Sequence, residues 1–138
     1  MDAMEQRVRD SFAQQAMMRT FGASVETVTK GQVVLKAPIL PIALQHTGHG
    51  HAALSFALGD TAAGFSALTL MPEGAEVVTA EIKINLLAGA QGDYLIARGH
   101  VIKPGRRVIV VGATVTAVSG DQQRDVAVLM GSMMAVHP

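Results

Sequence analysis

The sequence has no cysteine and no tryptophan, and only one tyrosine and four phenylalanines among 138 residues. Without thiols there are no disulfides, thiolate metal sites or cysteine nucleophiles. Charge is sparse as well: Asp, Glu, Lys and Arg make up 16% of the chain and balance to a formal net charge of zero. No basic stripe or aromatic-studded basic patch occurs, so nucleic-acid binding has no footing. No apolar run reaches the roughly 18 residues of a membrane span. The opening MDAMEQRVRDSF is charged where a secretory leader would be apolar, and a cytoplasmic protein is the expectation. What is plentiful is apolar side chain, at 49%. That composition gives a folded chain rather than a disordered one. The length suits a single domain over 1–138, and so little charge implies surface hidden against another subunit.

Met4, Val8, Phe12 and Ala16 recur at four-residue spacing with charges between them, predicting an amphipathic helix over about 2–19 that stops at Gly22. Residues 24–37 read as a strand pair turning at Lys30-Gly31, and Pro38 and Pro41 predict an irregular stretch to about His46. From 51 to 70 small residues fall on every face, so the expected helix has no solvent side and should be surrounded by other structure. Pro72 and Gly74 end it. Residues 76–87 alternate strictly, with Val78, Ala80, Ile82, Ile84 and Leu86 against Thr79, Glu81, Lys83 and Asn85. Three further strands follow at 94–103, 107–118 and 124–136, the last two rich in Val and Met on both faces, as for strands covered on both sides. Short turn-like joints favour antiparallel neighbours. The fold class is α+β: an antiparallel sheet wrapped around one small-residue helix. Its unpaired edges would join a second copy.

Asp60 is the only ionisable residue between His51 and Glu73. A buried unpaired carboxylate costs several kcal/mol, so it must cap, pair or line a cleft. It could be the N-cap of a helix starting at Thr61, or it could take a proton from water at a cleft mouth. His46, His49 and His51 crowd into QHTGHGH. Their spacing suits a metal, but no further ligand follows in sequence, and loop histidines more often hydrogen-bond at a surface. The Gly48–Ala53 stretch feeds a helix start, whose free N–H groups can hold an oxyanion; plain loop flexibility explains the glycines equally well. Lys103, Arg106 and Arg107 flank a Pro-Gly turn, either as a solvated tip or as a receiver of phosphates. The methionines read as core filler.

Taken in order, Gln45-His46-Thr47-Gly48-His49-Gly50-His51-Ala52-Ala53, Leu58-Gly59-Asp60-Thr61-Ala62-Ala63-Gly64, Val78 to Leu87 and His100 to Arg106 resemble the hotdog-fold acyl-CoA thioesterases of the phenylacetate-degradation type. The likeness covers nearly all of the chain from about residue 20. It implies a hotdog fold, a dimer with a continuous sheet doubled to a tetramer, and hydrolysis of an acyl-CoA with no metal or redox cofactor, CoA being part of the substrate. Carried over by position, Asp60 is the general base or nucleophile, acting from the neighbouring subunit's helix. Ala52 offers the N–H that polarises the carbonyl, His51 matches the motif histidine, Gln45 holds substrate or water, and Thr79 orients water. Gly48, Glu81, Leu86, Lys103 and Arg106 fall at substrate-binding positions, the two cations near the CoA phosphates.

One departure stands out: Ala52-Ala53 replaces Gly-Gly, which tightens the approach to the carbonyl. It motivates a second reading, a non-catalytic acyl-CoA-binding protein; the three loop histidines motivate a third, a metal-dependent enzyme. The chemistry itself needs little. A CoA thiol with a pKa near 8.5 departs as a thiolate without a strong general acid, leaving a base and an oxyanion donor as the minimum. With so few aromatics the acyl pocket should be aliphatic. That hints at medium chains but leaves aryl-acetyl groups open.

Overall fold

The structure, a computed structural model, describes residues 1–138. Helices α1 (Ala3–Ala13) and α2 (Ala16–Thr20) precede strands β1 (Ser24–Thr29) and β2 (Gln32–Pro38) and a 3-10 turn at Pro41–Ala43. Helix α3 (Ala52–Leu68) follows, then β3 (Glu76–Leu86), β4 (Tyr94–Lys103), β5 (Val108–Ser119) and β6 (Gln122–Val136). All pairings are antiparallel, in the order β1-β2-β4-β5-β6-β3. The sheet curls around α3, as the residues led one to expect. Pro38 does not break β2 but ends it, paired with Tyr94 at the strand's last position, where a missing N–H is tolerated.

The N-terminal helix is not continuous over 2–19. Asp2 caps α1 by accepting from the Glu5 N–H at 2.7 Å, and Val8 is fully buried. At 3.6 residues per turn, a straight continuation would aim Gln15 and Arg19 along the Val8 stripe into the core. The chain instead turns extended at Gln15. Arg19 then donates back to the Ala13 carbonyl at 2.6 Å, and Met18 takes the buried position. Arg7 fastens α1 to the far side of the core by donating to the carbonyls of Met71, Pro72 and Ala75.

Helix α3 sits on the sheet with almost no space between them. A Cβ at Gly99 would overlap the Ala62 carbonyl, and one at Gly59 would lie 2.6 Å from Leu129 Cδ1. Leu54 and Leu58 are buried to 1% and 0% exposure, each contributing about 1.5–3 kcal/mol by leaving water. Within one chain, helix α3 keeps one open side. Ala52, Ala53 and Phe56 are exposed, and Ala57, Asp60 and Thr61 are half-buried. At three- and four-residue spacing these form one stripe that the chain's own sheet leaves bare.

That stripe runs beside β3, which pairs with β6 alone and so presents a free edge. The register shifts between Thr79 and Glu81, leaving Ala80 as an extra residue that changes which side chains share a face. Val77 and Thr79 pair with Ala135 and Met133; beyond the bulge Ile82, Ile84 and Leu86 pair with Gly131, Leu129 and Ala127. All five therefore face α3. Within one chain the outer face of β6 is open at Val128, Met130, Met134 and Val136, whereas β5 is exposed only at its ends, Val108 and Ser119.

Candidate active site

Asp60 lies in the middle of α3, not at a helix start, so it is not an N-cap. Its carboxylate accepts from the Thr79 hydroxyl at 2.8 Å, a contact that exists because the Ala80 bulge turns Thr79 inward. Burial pushes the carboxyl pKa above its ordinary value, and the Thr79 hydrogen bond, by favouring the anion, pulls part of that back. The group fronts a cavity of about 190 Å³ walled by Gly64, Phe65, Val77 and, unforeseen, Gln15. Nothing in the sequence marked Gln15; only the break between α1 and α2 delivers it there.

A second, larger cleft of about 520 Å³ opens where the loop before α3 meets the end of β3. Gln45, His46, His49, His51, Ala52 and Leu86 line it, with the Leu87–Ala90 segment as its floor. The loop is pinned there by Gly50, whose N–H donates to the Ala90 carbonyl at 2.7 Å, and by His51, whose N–H donates to the Ala43 carbonyl at 2.7 Å.

His51 is the N-cap of α3: its Nδ1 accepts from the Ala53 N–H at 2.9 Å. An accepting Nδ1 leaves the proton of the neutral ring on Nε2. The cap also separates the two alanines that stand in place of glycines. Ala53 has spent its N–H on His51, whereas the Ala52 N–H, exposed and at the positive end of the helix, meets no acceptor in the chain. Ala52 adopts helical backbone as the first residue of α3, so its Cβ does not prevent that N–H from facing the cleft.

The other sequence candidates lie apart. Gly48 makes a left-handed turn (φ 91°) at the loop tip and does not line the cleft. Glu81 is on the outer face, 3.4 Å from the Ser132 hydroxyl. Lys103 and Arg106 are exposed in the β4–β5 hairpin. The register Val108, Met134, Val78 puts that hairpin at the beginning of β3, away from Leu86. The three loop imidazoles form no group able to hold a metal; His49 and His51 each have a ring nitrogen engaged in a hydrogen bond. Within one chain, then, Asp60 with Thr79 and Ala52 with Gln45 and His51 form two separate clusters.

Residues 47–123 match the thioesterase superfamily. A thioesterase family protein from Silicibacter pomeroyi is 38% identical, with a TM-score of 0.96 over 99% of this chain and 100% of that one. The PaaI protein from the phenylacetic acid degradation operon of Escherichia coli is 21% identical, with a TM-score of 0.86, covering 96% of this chain and 93% of that one. Thioesterase HI1161 of Haemophilus influenzae is 18% identical, with a TM-score of 0.84, covering 99% of this chain and 92% of that one. At the two lower identities the likeness is one of fold. No curated protein sequence matches the chain.

Proposed function

The chain belongs to the thioesterase superfamily and is a thioester hydrolase; from that premise we propose that it hydrolyses acyl-CoA at a site shared by two copies. Asp60 of one copy and Ala52 of the other face the same carbonyl. The observation that carries this reading is the Asp60 carboxylate: half-buried, hydrogen-bonded only by Thr79, and on the bare stripe of α3 beside a free strand edge. Eight residues separate it from Ala52, about 12 Å along a helix axis. One chain therefore cannot bring both groups to a single carbonyl. Pairing two β3 edges about a two-fold axis would run the two α3 helices past each other in opposite directions. Each Asp60 then approaches the partner's Ala52, and the Lys103–Arg106 hairpin, at the Asp60 end of the sheet, approaches the partner's cleft, where CoA phosphates would lie.

In this pairing Asp60 takes a proton from water as the water oxygen attacks the thioester carbon. The carbonyl oxygen becomes an oxyanion facing the Ala52 N–H and the Gln45 amide. The C–S bond then breaks and CoA leaves as a thiolate, its pKa near 8.5 making a strong acid unnecessary. A donor that meets the oxyanion but not the ground-state carbonyl contributes about 3–4 kcal/mol. Nothing in this scheme calls for a metal or redox group. Asp60→Asn should lower acyl-CoA hydrolysis by about 10²–10⁴-fold without weakening substrate binding. A wild-type rate in that variant would refute the assignment of the base.

A further inference from the structure

We propose that Thr47 and His49 are positioning residues which set the direction of the Gln45 amide through a hydrogen-bond chain of fixed polarity. The inference rests on the reading of Gln45 as a donor in the cleft, and deepens it. Both the backbone N–H and the hydroxyl of Thr47 approach the same side-chain atom of Gln45, the hydroxyl at 2.7 Å. A backbone N–H can only donate, so that atom is the amide oxygen, and the NH2 group is the end left for the cleft.

The Thr47 hydroxyl has a single hydrogen, and the Gln45 oxygen, already an acceptor, requires it. The oxygen of that hydroxyl can then only accept from His49 Nδ1, 3.1 Å away. His49 is accordingly protonated on Nδ1, the opposite of His51, whose Nδ1 accepts from Ala53. Packing holds the imidazole in place: a Cβ at Gly89 would stand 2.8 Å from His49 Cδ2 and 3.1 Å from Nε2, so the ring lies flat on bare backbone. The loop's own turn, Gln45 N–H to the His49 carbonyl at 2.8 Å and Gly48 N–H to the Gln45 carbonyl at 3.1 Å, brings the three side chains together.

The chain therefore runs His49 Nδ1–H to Thr47 Oγ, Thr47 O–H to Gln45 Oε1, and Gln45 NH2 to the substrate oxygen. Freed from Thr47, the amide could turn its oxygen to the cleft and oppose a developing oxyanion instead of holding it. The geometry also gives His49 and His51 hydrogen-bonding roles that need no metal.

The test combines nitrogen-15 spectra of the imidazoles with steady-state kinetics on the full-length protein. Wild type should show His49 as the Nδ1–H tautomer and His51 as Nε2–H. Thr47→Val should lose the His49 preference and lower kcat about tenfold with KM within about twofold, the size of one hydrogen bond to a charged oxygen. Thr47→Ser, which keeps the hydroxyl, should restore both. An Nε2–H tautomer at His49 in wild type overturns the chain of polarity. A Thr47→Val enzyme with wild-type kcat, where Gln45→Ala is slow, overturns the positioning role. Gln45→Ala at wild-type rate overturns the donor reading beneath it, and is distinguishable because the wild-type imidazole tautomers are read independently of that rate.

Discussion

On the side of α3 that meets the sheet, the buried residues apart from Phe65 are small or aliphatic, and Gly99 lets the Ala62 backbone rest directly on β4. On the side turned away, Ala52, Ala53 and Phe56 are open to solvent and Asp60 carries a charge at mid-helix. The first side has the features of close packing, where volume decides and substitution costs stability. The second leaves polar groups without full partners: a carboxylate with one hydrogen bond and an N–H with none. A helix selected only to fill this sheet would need neither. The difference says that stability and chemistry are drawn from opposite faces of the same 17 residues, so substitutions should separate the two properties cleanly.

The sharpest separation is expected at Ala52. Proline is well tolerated as the first residue of a helix, and His51 already has the extended backbone that a following proline requires (φ −60°, ψ 145°). Ala52→Pro removes the free N–H and little else. It should lower kcat about 10²–10³-fold while the melting temperature moves by no more than a few degrees. Gly99→Ala is its counterpart on the packed side: it should cost about 3 kcal/mol or more in denaturant unfolding, and any loss of specific activity should track loss of folded protein.

A smaller effect, of opposite sign, is expected from Asp60→Asn on stability. The folded state binds the Asp60 proton more tightly than the unfolded chain does. The stability this group contributes is therefore present below the ordinary carboxylate pKa and lost as pH rises through the raised one. At neutral pH the asparagine variant should be slightly more stable, a gain that vanishes in acid melts. The least effect is a shift of profile. Wild-type kcat should fall as pH drops through the raised Asp60 pKa, since a protonated carboxyl cannot act as a base. Thr79→Val, which loses the hydrogen bond favouring the anion, should move that acid limb to higher pH; a limb that stays in place would remove Thr79 from the site.

The order of helix, hairpin, helix and four strands is legible in the sequence because period-two alternation and turn residues are local signals, and β3 to β6 follow them closely. Asp60 is legible because a lone charge in an apolar segment demands an explanation. What escapes a sequence reading depends on tertiary geometry. The Ala80 bulge, without which Thr79 could not reach Asp60, leaves no mark in an alternating strand. The bare stripe of α3 is invisible because alanine on all sides gives no contrast between faces. The break at Gln15 involves neither Gly nor Pro; it answers to Arg19 and Met18 in the folded chain. The loop histidines suggest a metal by spacing alone, and only the loop's turn shows one capping a helix and another bonded to Thr47.

The central claim is that a working site takes Asp60 from one copy and Ala52 from another. Co-refolding equal amounts of Asp60→Asn and Ala52→Pro chains tests it most directly, because in a mixed pair one site regains both intact groups while the other loses both. Random pairing should restore about a quarter of wild-type kcat per chain from two variants that are each nearly inactive alone. If mixed pairs form and the mixture stays as inactive as its components, the two groups do not meet across a subunit boundary and the account fails.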